Sequence, residues 1–559
     1  MFQTTATLAT PIRIEGAASL PEACGIDSMT HTMQHYALTV DKFLDHAAKW
    51  HGTAEVVSAM PGIHISRICY AQLREQCAQL SGGLLDQGLK TGDRIATLAW
   101  NTGHHLAMYY AAMAVGLVCH TLNPRLSLRQ LSAMVNEAAD RWIAVGKGLQ
   151  PLLGDLLPLC PTIEGIILLD DQQEEIPFSH AHQHWTLAGF LQRFGRVARW
   201  GQFDEDTPAG LCYTSGTIGN PRGVLYTHRS NYLHTLRLLQ ADAMAITARD
   251  AVLVAVPMFH ANGWGAPFAV PAVGAKMVLP GRSIDPVHLR DLILAESVTV
   301  AAAVPTVWLG LVELFEKEGG ELPSLQRIVI GGTHCPEALI ARMESRLGVR
   351  VQTSWGMTEL SPLGTISPPD APPSDGPRGS GRSPLGLDLK LVDADGATLS
   401  SQRMVTGRLR VKGASVAERY YKQEESVLDG EGYFDTGDLA IIDETGNLII
   451  AGRSKDLIKS GGEWINPVEI ERIVGSLPAV GLAAVVGCFD LKWGERPVLI
   501  VEPCRSHVID ERALLNALRG KIPDWWIPDR VVVVERMPLA ATGKIDKKRL
   551  RENVATGAS

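Results

Sequence analysis

The sequence has few features that would organise a metal centre or a disulfide framework. Its nine cysteines are scattered, and none belongs to a Cys-x-x-Cys pair or a His/Cys cluster. Free thiols persist in a reducing compartment, so we expect a cytoplasmic protein. The formal net charge is −8, which lacks the basic excess of nucleic-acid-binding surfaces. We therefore expect no nucleic-acid partner.

Long hydrophobic runs are scarce as well. The most apolar stretch is Leu106 to Leu122 (LAMYYAAMAVGLVCHTL), which has 17 residues and contains His120. Such a run is at the lower limit for a membrane span, and we predict instead a buried helix that continues into a strand. The first 30 residues show no cationic start followed by an apolar segment, so we expect no signal peptide. The sequence thus predicts no membrane span.

The middle of the chain alternates short β-branched runs with amphipathic helical patterns. For example, the pattern predicts a strand at 327–330, a helix at 336–347 and a strand at 349–353. Alternation of this kind with fully apolar strands predicts an α/β fold with parallel sheets covered on both faces. Ligands of such folds bind beyond the carboxyl ends of the strands.

The pattern of predicted elements changes after residues 367–384, of which 13 of 18 are Pro, Gly or Ser, a composition that predicts a loop. Short strands follow, and then a compact α+β piece from about Lys455. We predict an N-terminal extension (1–38), a large domain with parallel-rich sheets and a small β subdomain (39–454), and an α+β C-terminal cap (455–559).

Residues 213–223 (YTSGTIGNPRG) concentrate glycines, hydroxyls and one cation. Backbone N–H groups in such a loop approach polyphosphate oxygens closely, and the hydroxyls add donors. No Gly-Lys-Ser/Thr ends the segment, so it is not a Walker loop. By itself the pattern fits either phosphate binding or an ordinary Gly/Ser turn.

Four further motifs follow in order: WGMTE (355–359), FDTGD (434–438), GRSKDLIKSGGE (452–463) and ATGKI (541–545). With the glycine-rich loop, this set resembles the adenylate-forming superfamily of acyl-CoA synthetases, peptide-synthetase adenylation domains and luciferases. The resemblance covers about 39–551. It is strongest to medium-chain fatty acyl-CoA ligases and methylmercaptopropionate-CoA ligases, through PMFHANGW (257–264), MTELSP (357–362) and KSGGEW (459–464).

The resemblance implies an ATP-dependent acid–thiol ligase that uses Mg²⁺ and CoA. A carboxylic acid attacks the α-phosphorus of ATP to give an acyl-adenylate and pyrophosphate, and a thiol then displaces AMP. The expected acid is a medium-chain fatty acid or a short thioether acid, and the chain could form a homodimer. The C-terminal cap is expected to be mobile and to rotate between the two half-reactions.

The resemblance also assigns residues to roles. The expected catalytic residues are Lys544, Glu359, Thr214 and His260, with Thr214 and Glu359 holding the metal. The expected ATP and AMP site comprises Thr214, Ser215, Gly216, Thr217, Gly219, Arg222, Gly331, Gly332, Trp355, Gly356, Met357, Thr358, Asp438, Arg453, Lys455 and Lys459. The acyl pocket would be formed by His260, Trp264 and Gly332, and the thiol tunnel by Lys459, Gly461, Gly462 and Trp464.

Within that set, Lys544 would bridge the carboxylate and the α-phosphate, Asp438 and Arg453 would bind the ribose, and Lys455 would be the hinge. Simpler interpretations stay open for some of these residues: a surface lysine at 544, a buried structural histidine and core tryptophan at 260 and 264, and a plain loop at 459–464.

Two positions depart from the superfamily pattern. Ile218 replaces a threonine, and Arg222 replaces a lysine. The first change removes a hydroxyl donor, and the second keeps the charge but alters its geometry. We expect slower adenylation than in relatives. Two alternatives stay open. One is an acyl- or aryl-acid ligase that loads a carrier-protein phosphopantetheine. The other, suggested by Ile218, is a degenerate, non-catalytic nucleotide-binding protein, against which the presence of Lys544, Glu359 and Asp438 argues.

Overall fold

The computed structural model describes residues 33–59, 65–169, 183–214, 221–371, 378–504, 507–540 and 544–556. Two large sheets dominate the N-terminal part. Their strands are β1 (Glu55–Ala59), β2 (Ile65–Cys69), β3 (Arg94–Leu98), β4 (Val118–Thr121), β5 (Trp142–Val145), β6 (Gly165–Leu168), β7 (Gln183–Thr186), β8 (Pro208–Tyr213), β9 (Gly223–Thr227), β10 (Ala251–Val254), β11 (Lys276–Leu279), β12 (Val300–Ala303), β13 (Arg327–Ile330), β14 (Arg350–Gly356) and β15 (Leu363–Ile366).

The helices of this part lie between and around those strands. They are α1 (Asp41–Trp50), α2 (Tyr70–Asp86), α3 (Gly103–Met113), α4 (Leu128–Ala138), α5 (Gln150–Leu156), α6 (Leu187–Phe194), α7 (His228–Leu238), α8 (Ala266–Ala272), α9 (Pro286–Glu296), α10 (Pro305–Glu318) and α11 (Glu337–Leu347).

The remaining elements form a small sheet and the cap. The small sheet has β16 (Leu387–Val392), β17 (Thr406–Gly413), β18 (Phe434–Ile442) and β19 (Leu448–Arg453). The cap has β20 (Ile458–Ser460), β21 (Glu463–Ile465), α12 (Pro467–Gly475), β22 (Val480–Asp490), β23 (Gly494–Pro503), α13 (Glu511–Leu518), β24 (Arg530–Val533) and α14 (Lys547–Thr556).

Both large sheets are parallel in their interiors. One has the order β15-β14-β13-β12-β10-β11-β1-β2, and the other β7-β6-β5-β3-β4-β8-β9. Antiparallel pairs occur at the ends, as β14 with β15, β1 with β2, and β8 with β9. Every residue of β10 and β12 is buried, as expected of parallel strands that are covered by helices on both faces. The predicted fold class is confirmed.

The apolar run at 106–122 forms α3 followed by β4, as predicted, and both elements are buried. The helix is apolar on every face because it packs inside the domain rather than on its surface. Among the described residues, no helix is both long and apolar enough to cross a membrane.

The cap packs against α11. Leu482 and Ile500 of the cap belong to the same buried cluster as Ile340 and Met343 of α11. The cap sheet has the order β21-β20-β23-β22, with β24 beside β23, and Asn466 caps α12 by accepting a hydrogen bond from the Val468 N–H at 3.1 Å. This docking carries Lys544, just before α14, to the large domain.

Candidate active site

One cavity of about 430 Å³ lies at the carboxyl ends of strands from both large sheets. Thr214 follows β8, the segment 257–264 follows β10, and Gly331 follows β13. The segment 356–359 begins at the last residue of β14. Parallel strands bring their carboxyl ends to one edge, which is why segments far apart in the sequence meet here.

Lys544 enters this cavity from the cap. Its side chain passes beside Gly332, where an added Cβ would lie 3.7 Å from Lys544 Cε and 3.5 Å from the Trp264 ring. Burial of the ammonium, reinforced by the nearby Arg453 charge, lowers the pKa of Lys544 to about 8, although Asp438 and Glu359 partly oppose the shift. The cap lysine is therefore placed inside the large domain rather than on the surface.

This pKa gives a testable pH dependence. Because the pKa is lowered to about 8, the ammonium is fully present below that value and is lost as the pH rises through it. We expect kcat/KM for ATP, which reports on the free enzyme, to fall by roughly tenfold per pH unit well above the pKa. Acid-dependent ATP–pyrophosphate exchange measures this profile. Lys544→Arg should remove the alkaline decline, because arginine stays charged; the same decline in both proteins would contradict the assignment.

A buried carboxylate organises one side of the cavity. Asp438 is 2% exposed; its Oδ2 accepts from the Trp355 indole N–H at 2.8 Å, and its Oδ1 accepts from Arg453 Nε at 2.9 Å. Trp355 and Arg453 line the cavity, whereas Asp438 lies behind the wall. Asp438 thus holds both lining side chains in one orientation.

A second carboxylate faces the glycine-rich loop. Glu359 is 7% exposed, and its Oε1 accepts a hydrogen bond from the Tyr420 hydroxyl at 2.8 Å. Thr214 and Arg222 line the same cavity. The Thr214 N–H donates to the Arg222 carbonyl at 2.9 Å, so the antiparallel pairing of β8 and β9 continues as far as these two residues.

The oxygens of Thr214 and Glu359 fit a hard cation such as Mg²⁺, which prefers oxygen ligands and keeps several waters or phosphate oxygens. In the described parts of the chain, no group of three or more His, Cys, Asp or Glu side chains forms a metal cage. A cation held here would therefore take most of its ligands from a bound polyphosphate and water.

The segment 261–265 that carries Trp264 has an unusual backbone. Ala261, Asn262, Gly263, Trp264 and Gly265 all have positive φ, at 43°, 53°, 58°, 56° and 77°. A left-handed turn is costly for residues with a Cβ, and such conformations persist where the surrounding structure imposes them. Here the turn places the Trp264 ring beside Gly331 and Gly332.

His260 lies at the start of that turn and also lines the cavity. Burial, with a smaller contribution from the Lys544 charge, lowers the pKa of His260 to about 4. The imidazole is therefore neutral near physiological pH. Five apolar side chains also line the cavity and belong to the buried cluster against which Trp264 packs: Leu238, Met244, Val329, Leu363 and Ile366.

The chain matches two families of known proteins. Residues 43–421 match the AMP-binding enzyme family, and residues 469–544 match the AMP-binding enzyme C-terminal domain. The chain belongs to the AMP-binding enzyme family. The match agrees with the motif order in the sequence, so the predicted superfamily is confirmed.

Similar proteins of the family cover nearly the whole chain. A 3-methylmercaptopropionyl-CoA ligase of Ruegeria pomeroyi is 40% identical over 95% of this chain and 100% of its own length. A medium-chain-fatty-acid–CoA ligase of Ectopseudomonas oleovorans is 37% identical over 94% of this chain and 97% of its own. These are the two ligase groups that the motifs resemble, so the predicted enzyme class, an AMP-forming acyl-CoA synthetase, is supported.

Solved structures share the fold. The anthranilate CoA ligase AuaEII in complex with anthranoyl-AMP aligns with a TM-score of 0.83 at 22% identity, covering 93% of this chain and 98% of that one. ATP-bound MatB from Rhodopseudomonas palustris aligns with a TM-score of 0.80 at 23% identity, covering 94% and 100%.

In this AMP-binding enzyme, the cavity brings together many of the residues expected to bind nucleotide and acid. The predicted residues that line it are Thr214, Arg222, His260, Trp264, Gly332, Trp355, Gly356, Met357, Thr358, Glu359, Arg453, Lys455 and Lys544. Gly331 lies against Trp264 and Ser354. The predicted residues Ser215, Gly216, Thr217 and Gly219, together with Ile218, lie outside the described part of the chain.

The predicted tunnel residues do not reach the cavity. Lys459 and Trp464 are exposed on the cap hairpin β20–β21, with the Lys459 ammonium 5.5 Å from the centre of the Trp464 ring. Gly461 and Gly462 form its two-residue turn, with φ of 62° and 92°. Such tight turns require positive φ at both central positions, so local geometry alone explains the glycine pair.

Sequence reasoning missed Tyr420 and the apolar wall. Tyr420 lies in a polar stretch (ERYYKQEES, 418–426), where nothing in the local pattern distinguishes it from an ordinary surface tyrosine. Met244 lies in a connection between elements, and the other residues of the apolar wall come from α7, β13 and β15. Only the folded chain shows that these side chains share a site.

Proposed function

We propose that this enzyme joins a small carboxylic acid to the thiol of CoA through an acyl-adenylate, consuming ATP. The observation that carries the proposal is the placement of Lys544. Its stem lies beside Trp264 and Gly332, and its charge interacts with Arg453, Asp438 and Glu359. One cation on the cap therefore lies between the proposed acid side and the proposed nucleotide side of the cavity.

The chemistry requires such a cation. A carboxylate is a poor electrophile because it is negatively charged and has no good leaving group. Attack of a carboxylate oxygen on the α-phosphorus forms the acyl-adenylate and expels pyrophosphate. The two reacting anions repel one another, and negative charge builds up on the phosphoryl oxygens, so a fixed ammonium between them both positions the reactants and stabilises the transition state.

The other lining residues have distinct proposed roles. Trp355 and Arg453 would contact the adenosine moiety, oriented by Asp438. Thr214 and Glu359 would hold Mg²⁺, which when bound neutralises polyphosphate charge. Hydroxyls and backbone N–H groups of the loop 214–222 would bind the departing pyrophosphate.

The second half-reaction needs the cap in another position. We propose a body (39–454) and a cap (455–559) that rotate about Lys455, which lies in a short helical turn at 454–456. Rotation would withdraw Lys544 and bring the exposed hairpin with Lys459, Gly461, Gly462 and Trp464 to the adenylate. Hinge motions of this type concentrate the φ/ψ change in a few residues at element ends.

The acid is proposed to be a medium-chain fatty acid or a short thioether acid. The apolar wall next to His260 and Trp264, which includes Met244 and Leu238, supports an uncharged tail. Each methylene buried there contributes about 0.8 kcal/mol. The neutral state of His260 supports the same interpretation, because no cation faces the tail from that residue.

Pyrophosphate release measured across fatty, methylthio and aryl acids, with and without CoA, tests the proposal. We expect release with the first two classes in the absence of CoA, and acyl-CoA plus AMP when CoA is added. Preference for aryl acids would overturn the acid class. Thioester formation on a carrier-protein phosphopantetheine but not on CoA would favour the alternative acceptor. If no acid-dependent pyrophosphate release occurred, the protein would be a nucleotide-binding protein without ligase activity.

A cytoplasmic location and a homodimer are part of the same proposal. The cysteines within the described residues are all free, which suits a reducing compartment. Light scattering of the purified protein would measure the subunit number directly.

A further inference from the structure

Tyr420 connects the glycine-rich loop to the proposed metal ligand. Its hydroxyl donates to Glu359 Oε1 at 2.8 Å, and both side chains are 7% exposed. The Arg222 guanidinium lies over the Tyr420 ring, 4.9 Å from its centre. Along the cavity wall, the Arg222 guanidinium thus contacts the Tyr420 ring, and the Tyr420 hydroxyl contacts the Glu359 carboxylate.

The ring in the middle is held by its surroundings. Tyr420 packs in a small buried cluster with Cys212 and Val224, which flank the loop on β8 and β9. The next residue is tied to the same hairpin, because the Tyr421 N–H donates to the Gly223 carbonyl at 2.8 Å. The position of the hydroxyl is therefore set by the strands that carry the loop.

The hydroxyl is also chemically suited to donate. A phenol keeps its proton near neutral pH, and an ionised carboxylate can only accept, so the Tyr420 hydroxyl is the donor in this pair. Oε1 is engaged by this hydrogen bond and Glu359 lines the cavity, which leaves Oε2 as the oxygen available to a metal.

We propose that Tyr420 is a positioning residue that orients Glu359 for the metal, and that Arg222 holds the Tyr420 ring through its planar guanidinium. The inference rests on the proposed function, in which Glu359 is a metal ligand. It gives the departure at 222 a structural meaning: a guanidinium stacks on an aromatic face, whereas a lysine ammonium is a compact, strongly hydrated charge.

Groups that hydrogen-bond a metal-ligating carboxylate typically affect metal affinity by about 10- to 100-fold when removed. Tyr420→Phe deletes only the hydroxyl and leaves the ring beneath Arg222. We expect the dissociation constant of Mn²⁺, used as the probe with the enzyme bound to α,β-methylene-ATP, to rise by about tenfold in an electron paramagnetic resonance titration. Binding of AMP in EDTA should not change.

Tyr433→Phe is a matched control. The Tyr433 hydroxyl also donates to a carboxylate, that of Asp388 on β16, and neither residue lines the cavity. We expect its Mn²⁺ affinity to equal that of the wild type. An unchanged Mn²⁺ affinity in Tyr420→Phe would overturn the proposal, as would an equal loss in both variants or a parallel loss of AMP binding.

The contribution of Arg222 is tested by coupling. Arg222→Lys should weaken Mn²⁺ binding by about two- to fivefold, the range of an exposed cation–π contact. In a protein that already carries Tyr420→Phe, the same substitution should weaken Mn²⁺ binding by a smaller factor. Full additivity would overturn the link between the two residues. Because Mn²⁺ binding is read without turnover, a wild type that binds Mn²⁺ but releases no pyrophosphate would contradict the ligase proposal and leave this inference standing.

Discussion

Replacing Lys544 with alanine is expected to slow acid-dependent pyrophosphate formation by about 100- to 1,000-fold, the usual cost of removing one preorganised group that stabilises transition-state charge. The cap contributes this ammonium to the cavity beside Trp264 and Gly332. Its loss leaves the acid carboxylate and the polyphosphate without a cation between them. Single-turnover pyrophosphate release from enzyme, acid and ATP measures the effect.

The second half-reaction separates this role from a general defect. When a preformed acyl-adenylate is supplied with CoA, Lys544→Ala should form the thioester at close to the wild-type rate, because the ammonium is proposed to act only in adenylation. Lys548→Ala, in the exposed face of α14, is the matched lysine control and should leave both steps unchanged. Full-speed pyrophosphate formation in Lys544→Ala would show that the mechanism is wrong.

Replacing Asp438 with alanine is expected to lower kcat/KM for ATP by about 100-fold. Asp438 accepts two hydrogen bonds as a charged group. At the lower end of their range, about 1.5 kcal/mol each, they sum to about 3 kcal/mol, and about 1.4 kcal/mol corresponds to a factor of ten. The Trp355 indole and the Arg453 guanidinium would lose their shared acceptor and therefore their fixed orientation in the cavity wall.

The KM for the acid should change little in Asp438→Ala, because the acid is proposed to bind on the other side of Lys544. Asp429→Ala is the control: this carboxylate pairs with Arg410 in the same small sheet but does not line the cavity. Equal losses for ATP in the two variants would indicate a general effect on the small sheet rather than a role for Asp438 at the site.

Much of the fold was predictable from periodicity. The strand at 327–330 and the helix and strand of the run at 106–122 appear where predicted. The sequence of FDTGD (434–438), in contrast, gave no sign that the motif is the first half of β18. Its glycine and aspartates resemble a turn locally, and pairing with β17 on one side and β19 on the other makes it a strand.

The order and spacing of five motifs were sufficient to predict the family, the reaction class and many of the residues that line the cavity, because phosphate loops and charged contacts require particular residue types at fixed positions. Sequence alone also revealed the departure at 222. What it could not show is which residues meet across the cavity, since contacts such as Tyr420 with Glu359 join segments far apart in the chain.

The tertiary structure decided three further matters. It placed Asp438 behind the cavity wall, it put Trp264 on a left-handed turn, and it left the hairpin at 459–464 exposed while Lys544 is inside. Each depends on how the sheets, the small β subdomain and the cap pack together. The sequence determines which chemical groups the chain carries and in which order. The distances between those groups and their burial are set only when separate elements bury their apolar faces against one another.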